Sequence, residues 1–384
     1  MPILGAQSAG TKGAPTAPTI GTATSPTSTT ASVTFTAPSF SKLPITSYTV
    51  TSSPGGFTGT GASSPVTVSG LTAGTAYTFT VTATNANGTS AASAASNSIT
   101  PAKTLGAFSV STAYPTIVSG LANSTASLTS GPMMVQGFNS VGGSIVYYST
   151  WYQWTGSSWS NRGSSNTTAE GVAASHTSAT TAHAAGGSNA FLQDTANYWN
   201  GSSLANQTTN LTRWRAFGTS LGGTTFIFGG GVGGAGDSSQ VNYRTGTGNN
   251  VSAADWPFSG QANGFTNGGF TRAYTNRYTY GNQAVYYLTT LAGAWTTSWN
   301  WPAWTSANVT TLNGDMIAPV YGGNGQTIYR FTDAGVFTSI GTLTAAGNNY
   351  GFAGNGAATG TQLSVVGGYN GTTGTNTHYI ATYA

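Results

Sequence analysis

Short apolar runs that end in glycine recur along the later part of the chain, and they limit the folds that it can adopt. The runs are Met133–Gly137, Ala184–Gly187, Phe226–Gly230, Val320–Gly323 and Val365–Gly368. Turn dipeptides recur as well, at Thr155-Gly156, Asn200-Gly201 and Thr245-Gly246, at intervals of 45 residues. A fixed period of this size is typical of proteins built from small repeated structural units. Apolar runs this short, bounded by Gly, Asn and Thr, predict strands, so we expect an all-β chain.

Aromatic residues follow these runs in a constant order. A tyrosine comes eleven residues after the last glycine at Tyr148, Tyr198 and Tyr379, and Trp159, Trp295 and Phe337 stand later in their repeats. The order of apolar strand, glycine pair, Tyr and Trp resembles the kelch repeat, which forms one four-stranded blade of a β-propeller. The resemblance covers about residues 104–384 and implies six blades. It is degenerate, because the first repeat has Gln136-Gly137 and the repeat expected near 274–281 lacks the glycine pair.

The last repeat ends soon after Tyr379 and lacks an aromatic outer strand of its own. Near the start of the same region, Gly106-Ala107-Phe108-Ser109 resembles Gly335-Val336-Phe337-Thr338. We therefore predict that residues 105–111 complete the final blade and close the ring, because closure protects strand edges from pairing with other chains.

The first part of the chain has the alternation of a β-sandwich between Pro18 and Pro101. Strand side chains repeat every two residues, so the run Tyr77, Phe79, Val81 and Ala83 shares one face. Leu71 and Tyr77 have the spacing of a tyrosine corner. These residues resemble a fibronectin type III domain, with Phe35 where that family usually has a core Trp. We expect an N-terminal arm at 1–17, this domain at 18–101, a linker at 102–104 and the propeller at 105–384.

Charge is scarce and unevenly distributed. The chain has 384 residues, of which ten are Lys or Arg and six are Asp or Glu. All three Lys precede residue 104, and every Arg and every acid follows it, which supports the domain boundary. Nucleic-acid binding needs dense Lys and Arg, so we expect none. The absence of Cys excludes disulfides, thiolate metal sites and cysteine nucleophiles.

Groups suited to catalysis are few. Glu170 is the only glutamate, and the five aspartates are spread about one per repeat, which favours turn caps over a paired-carboxylate site. We interpret His176, His183 and His378 as surface or turn residues, since a metal site needs three or four convergent ligands. No Lys follows the glycine-rich run 229–236, so it is not a P-loop. We therefore predict no enzyme activity, no metal and no cofactor.

With catalysis disfavoured, binding to another molecule is the function that the aromatic and Arg residues favour. Aromatic rings beside Arg can stack on sugars or on another protein. The alternative to ligand contact is that these rings pack between neighbouring blades. We prefer that alternative for each aromatic residue taken on its own. The candidate contact residues are Trp299, Trp301, Trp304, Arg213, Trp214, Arg215, Arg272 and Arg277.

The domain order, the Thr/Ser/Ala-rich sandwich and the Gly/Asn/Thr-rich β region resemble virion structural proteins of tailed, especially marine, bacteriophages. The resemblance implies a fibre, appendage or capsid decoration that is held to other virion proteins through residues 1–101, with the propeller exposed to host surface glycan. The oligomeric state stays open. No run of about eighteen apolar residues occurs and the start has no secretory signal pattern, so we expect neither membrane insertion nor secretion. The alternatives are a secreted carbohydrate-active propeller with an accessory fibronectin domain and, last, an intracellular kelch adaptor.

Overall fold

In a computed structural model, the chain divides into two compact units, Met1–Thr104 with Ala384 and Leu105–Tyr383. The structure describes residues 13–116, 125–126, 133–141, 144–164, 173–176, 181–185, 195–208, 217–229, 232–233, 236–237, 239–245, 251–252, 255, 262–266, 271–277, 284–300, 309–312, 315–322, 325–343, 351–354, 362–366 and 375–384. Over these ranges the regular structure is entirely strand, so the all-β prediction is confirmed.

The first unit is a sandwich of two antiparallel sheets, ordered β1-β2-β5 and β4-β3-β6-β7. Alternate residues of the strands point inward and form one apolar core, which includes Val33, Val50, Phe79 and Val81. The strands are β1 Thr19–Thr27, β2 Thr30–Thr36, β3 Ser47–Ser53, β4 Thr58–Gly61, β5 Val66–Ser69, β6 Thr78–Asn85 and β7 Gly88–Thr89.

Two sequence predictions for the sandwich are confirmed. The hydroxyl of Tyr77 accepts a hydrogen bond from the backbone N–H of Thr72 at 3.1 Å, beside the buried Leu71, as a tyrosine corner requires. Phe35 is buried and its ring lies 4.7 Å from that of Tyr48. A Phe thus occupies this core position and makes an aromatic contact there.

The segment that follows β7 lies along β6 and is held by a serine ladder, by which we mean Ser90, Ser93 and Ser96. Each of the three donates its backbone N–H to a carbonyl of β6 and accepts a β6 N–H on its side-chain oxygen. For Ser93 both partners belong to Val81, at 2.9 and 3.0 Å. Because the serines are spaced three residues apart, their side-chain oxygens accept the β6 N–H groups that the backbone carbonyls of a neighbouring strand would otherwise accept. The edge of β6 is thereby satisfied, which protects it from pairing with another chain.

Residues 13–17, which the sequence assigned to a free arm, pack on the sandwich. The carbonyl of Gly13 accepts a hydrogen bond from the side-chain amide of Asn85 at 3.0 Å, and the N–H of Thr16 donates to the carbonyl of Phe40 at 3.0 Å. Pro15, between them, is buried. The backbone of Gly13 and of Thr16 is therefore hydrogen-bonded to the sandwich, while residues 1–12 of the predicted arm lie outside the described part.

The second unit contains, within the described residues, six four-stranded antiparallel sheets in chain order. We call them the first to the sixth sheet. The early strands are β8 Ser109–Val110, β9 Thr125–Ala126, β10 Met133–Val141, β11 Ser144–Trp154, β12 Trp159–Ser164, β13 Ala173–His176, β14 Ala182–Ala185, β15 Thr195–Trp199, β16 Leu204–Thr208, β17 Phe217–Leu221, β18 Thr225–Gly229, β19 Val232–Gly233, β20 Gly236–Asp237, β21 Val241–Thr245 and β22 Val251–Ser252.

The later strands are β23 Ala262–Thr266, β24 Ala273–Arg277, β25 Ala284–Leu288, β26 Thr296–Asn300, β27 Thr310–Leu312, β28 Asp315–Gly322, β29 Gly325–Phe331, β30 Phe337–Leu343, β31 Gly351–Gly354, β32 Gln362–Val366 and β33 His378–Thr382. The sheets are β9–β12, β13–β16, β17-β18-β21-β22, β23–β26, β27–β30 and β31-β32-β33-β8, while β19 and β20 form a separate hairpin.

The repeated sequence pattern maps onto equivalent positions of these sheets. The glycine-ended apolar runs coincide with the second strand of five sheets, namely β10, β14, β18, β28 and β32. Tyr148, Tyr198 and Tyr379 all lie on third strands. Trp159 and Phe337 begin fourth strands, and Trp295 immediately precedes one. Each sheet is therefore one copy of a repeated meander.

The first three sheets pack side by side. The guanidinium of Arg162 in the first sheet lies 5.7 Å from the ring centre of Trp199 in the second. The ring of His183 in the second sheet stacks on Phe226 in the third, with centres 5.1 Å apart. Flat side chains thus join neighbouring sheets at both junctions.

The third, fourth and fifth sheets continue the series. An apolar cluster joins the third and fourth sheets, and its buried members are Leu221, Ile227, Val241, Ala273 and Leu288. Trp299 of the fourth sheet meets Phe337 of the fifth at 5.3 Å between ring centres.

The sixth sheet contacts both the fifth and the first. The hydroxyl of Tyr383, next to β33, donates to the carboxylate of Asp315 in the fifth sheet at 3.0 Å. The indole N–H of Trp154 in the first sheet donates to the side-chain oxygen of Gln362 in the sixth at 2.9 Å. The series of contacts between sheets therefore returns to its starting point.

The start of the unit pairs with its end, as the sequence predicted for residues 105–111. Ser109 and Val110 form β8, the outer strand of the sixth sheet, opposite Ile380 and Tyr379. The N–H of Gly106 also donates to the carbonyl of Thr382 at 2.8 Å. The sixth sheet is thus built from both ends of the unit.

Candidate functional site

The structure places only part of the predicted contact set. Arg272 and Trp299 are described with their side chains, while Arg277 is described only as a backbone position in β24. The remaining candidates, Trp301, Trp304, Arg213, Trp214 and Arg215, lie outside the described residues. Trp299 lies in β26 of the fourth sheet and Arg272 immediately precedes β24 of the same sheet, and both side chains contact the fifth sheet or its hairpin turn.

Arg272 belongs to a polar and aromatic group that joins the fourth and fifth sheets. Its Nη1 lies 3.9 Å from Oδ2 of Asp333 and 3.5 Å from the hydroxyl of Tyr274. Its guanidinium carbon lies 4.7 Å from the ring centre of Tyr287. The Tyr274 hydroxyl donates a short hydrogen bond, 2.6 Å, to Oδ1 of Asp333. We call Arg272, Tyr274, Tyr287 and Asp333 the Arg272 cluster.

The electrostatics of the cluster follow from burial and hydrogen bonding. Burial, then the hydrogen bond to Asp333, raises the pKa of Tyr274, so it remains a neutral donor. The hydrogen bond with Tyr274 raises the pKa of Arg272 above its usual value, against a smaller opposing effect of desolvation. The side chains of Arg272 and Asp333 are 33% and 43% exposed, so solvent screens their attraction and the ion pair itself stabilises little.

Trp299 packs between sheets. Its ring meets Phe331 and Phe337 edge-on at 5.4 and 5.3 Å. Gly335 lies against it with φ +73°, and a Cβ at that glycine would come within 2.5 Å of the indole Cγ. The placement agrees with the wedging alternative for this residue. It leaves Trp299 half-buried.

The interpretation of His183 and His378 as surface or turn residues was wrong. Both lie in strands and are essentially without solvent exposure, at 1% and 0%. Burial, and secondarily the charge of Arg244, lowers the pKa of His183 to about 3. Burial lowers the pKa of His378 to about 4, against a smaller effect of the Thr112 backbone. Both are therefore neutral packing groups at the second–third and sixth–first junctions.

The described carboxylates of Asp315 and Asp333 each accept a hydrogen bond from a tyrosine of a neighbouring sheet. Asp333 also lies in the turn between β29 and β30, where the N–H of Gly335 donates to the carbonyl of Thr332 at 2.8 Å. In the part of the chain that the structure describes, no three His, Cys, Asp or Glu side chains converge as metal ligands would. The arrangement holds sheets together and presents rings and one cation to solvent.

Sequence reasoning missed Tyr287 and the reach of Asp333 to the fourth sheet. Tyr274 and Asp333 are 59 positions apart, and no spacing rule connects them.

Comparisons with known proteins bear on the first unit. The fibronectin type III domain family matches residues 16–99. Similar solved structures include "Crystal structure of domains A168-A170 from titin", 24% identical over 23% of this chain and 32% of that one, with a TM-score of 0.22. Another is "Titin kinase and its flanking domains", 14% identical over 37% of this chain and 30% of that one, with a TM-score of 0.21. The chain thus spans about a third of each of these structures.

The comparison with curated protein sequences found no match. Among the described residues, no helix is long and apolar enough to cross a membrane. The family match, the two-sheet core and the tyrosine corner agree with one another. Residues 16–99 form a fibronectin type III domain, a module whose usual roles are structural or in binding.

Proposed function

We propose that the second unit is a six-bladed β-propeller with kelch-like repeats. Six meander sheets of equal strand number support this, as do the equivalent positions of the glycine-ended runs. The side-chain hydrogen bond between Trp154 and Gln362 supports contact between the sixth sheet and the first. In this proposal, β8 closes the ring as the outer strand of the sixth blade.

We further propose that the protein acts through contact and catalyses no reaction. One observation carries this: four of the described side chains that could do acid–base chemistry, those of His183, His378, Asp315 and Asp333, are engaged in contacts between sheets. His183 and His378 are buried and neutral. Asp315 and Asp333 each accept a hydrogen bond from a tyrosine. The fibronectin type III domain is consistent with a structural or binding role.

The specific role that we propose is a structural component of a tailed-bacteriophage virion, as a fibre, appendage or capsid decoration. The sandwich unit is the anchor and the propeller is exposed to host surface glycan or neighbouring virion proteins. The low charge and the Thr-, Ser- and Gly-rich composition support this role. Glycan contact would involve the candidate residues in the second unit, of which Arg272 is a partly exposed cation lying against a tyrosine ring.

The test is to purify the virions encoded with this chain and to measure its copy number per particle by quantitative mass spectrometry. We expect a fixed number of copies that survives gradient purification. Absence from the particles would contradict the virion role. Hydrolysis of host glycan by the purified chain, lost on replacing a carboxylate, would instead favour the carbohydrate-active alternative.

A further inference from the structure

The loop between β2 and β3 presents two large apolar side chains to solvent. Phe40 is 53% exposed and Leu43 is 38% exposed. In the described part of the chain only five large apolar side chains are this exposed, and the other three, Val110, Val251 and Val336, lie in the second unit. A single exposed apolar residue is ordinary on a protein surface. Phe40 and Leu43 stand three positions apart in the same loop, so both are available to one partner surface.

The backbone of this loop is held in place by the segment that precedes β1. The carbonyl of Phe40 accepts hydrogen bonds from both the N–H and the hydroxyl of Thr16, at 3.0 and 3.2 Å. The hydroxyl of Ser41 donates to the carbonyl of Leu43 and accepts from the side-chain amide of Asn85 at 3.2 Å.

Pro38 and Pro44 bound the loop and fix φ at both ends. The backbone groups of Phe40, the Ser41 hydroxyl and the Leu43 carbonyl therefore have hydrogen-bond partners in the sandwich unit, while the Phe40 and Leu43 side chains are exposed in the described part of the chain. A loop already held in one shape loses little conformational entropy when it binds.

Charge indicates what covers the loop. Lys42 lies between the two apolar residues and is exposed. Residues 1–104 contain three Lys and no Asp or Glu, so they offer no carboxylate side chain that could pair with Lys42. The same surface of a second copy is equally basic, which disfavours pairing of two sandwiches through this loop. The complementary surface is an apolar pocket with carboxylates on its rim.

We propose that the loop Pro38–Pro44 is the docking element of the sandwich, and that its partner is an apolar pocket rimmed by Asp or Glu on another protein of the particle. The proposal rests on the proposed virion role and identifies the surface that does the anchoring. In the complex, the partner's pocket buries Phe40 as the anchor and Leu43 packs beside it. Lys42 orients the complex by pairing with a carboxylate on the rim of the pocket.

The experiment adds purified full-length chain to virions made without its gene and counts the copies bound per particle across a concentration series. The variants are Phe40→Ser with Leu43→Ser, Lys42→Glu, and the control Val336→Ser, whose parent side chain is 60% exposed in the other unit. We expect the apparent affinity to fall about tenfold or more for the double variant and for Lys42→Glu, and to be unchanged for the control. Calorimetry of each chain checks that the sandwich still unfolds cooperatively.

Equal binding by wild type and the folded double variant would overturn the docking proposal while leaving the virion role intact. Failure of the wild type to bind any particle would contradict the virion role and the docking proposal together. A wild-type dimer that the double variant dissolves would show that the loop pairs two copies, which also overturns the proposal.

Discussion

Acid should destabilise the second unit through its buried histidines, and His378 allows the effect to be isolated. Its ring lies 4.5 Å from that of Trp154 and 4.9 Å from that of Trp159, and Nε2 is 3.1 Å from the hydroxyl of Ser364. Burial lowers its pKa to about 4 in the folded chain, against about 6.5 in the unfolded chain. Between these values the unfolded state binds more protons, so stability falls as pH falls.

The size of the effect follows from linkage. Each pH unit below about 6.5 costs about 1.4 kcal/mol while the folded histidine stays neutral, so His378 accounts for a loss of about 2 kcal/mol between pH 7 and pH 5. This loss of stability depends little on the pKa of the histidine in the folded chain when that pKa lies well below 5. His183, with a pKa of about 3, therefore contributes a similar loss of about 2 kcal/mol.

The assay is urea unfolding at pH 7 and pH 5 followed by tryptophan fluorescence, which reports on the second unit alone because all ten Trp follow residue 150. His378→Phe keeps a buried ring and should lose about 2 kcal/mol less than wild type on acidification. Trp159→Phe is the control, since it alters the same contact and keeps the titrating group. The reasoning is refuted if His378→Phe and wild type lose the same stability between the two pH values.

Three further predictions concern the sandwich, a junction between sheets and the charges. Ser93→Ala leaves the buried N–H of Val81 without its side-chain acceptor and should lower the stability of the sandwich by about 1–2 kcal/mol, measured by calorimetry of the full chain; no change would contradict the role of the ladder. Gly335→Ala strains a positive φ and forces a Cβ against Trp299, and should cost about 1–3 kcal/mol in urea. Gly156→Ala, with positive φ and open space, should cost less, and equal costs would refute the clash. The urea midpoint should change little between about 0.05 and 0.5 M NaCl, because few ion pairs exist to screen; a steep change would be inconsistent with this.

Local patterns predicted the positions of strands in both units. The glycine-ended runs lie in second strands because a short apolar segment is best buried inside a sheet, and in β18 and β28 the strand ends at the first glycine of the pair. The pairing of residues 105–111 followed from a missing outer strand and a matching motif. The Tyr77 corner was readable because its two ends are close in sequence.

Apart from that strand pairing, contacts between distant segments could not be predicted from the sequence. The small residues around His183 indicate neither that its ring is buried nor that it stacks on Phe226 of the next sheet. Residues 13–17 have an unstructured composition, yet Asn85 and Phe40 satisfy their backbone. The link between Arg272 and Asp333 likewise depends on which hairpin faces which strand.

In the proposed propeller, the sheets of the second unit form a ring that is closed by the unit's own first strand, β8. Ser109 and Ile380 are opposed in the sixth sheet, and the chain has no native Cys. Ser109→Cys with Ile380→Cys should therefore form an intramolecular disulfide almost completely under mild oxidation, since opposed strand positions suit its geometry. The control Ser109→Cys with Thr245→Cys, which uses the third sheet, should remain reduced. Free thiols in the folded Ser109/Ile380 variant, or bonds only between chains, would contradict the closed ring.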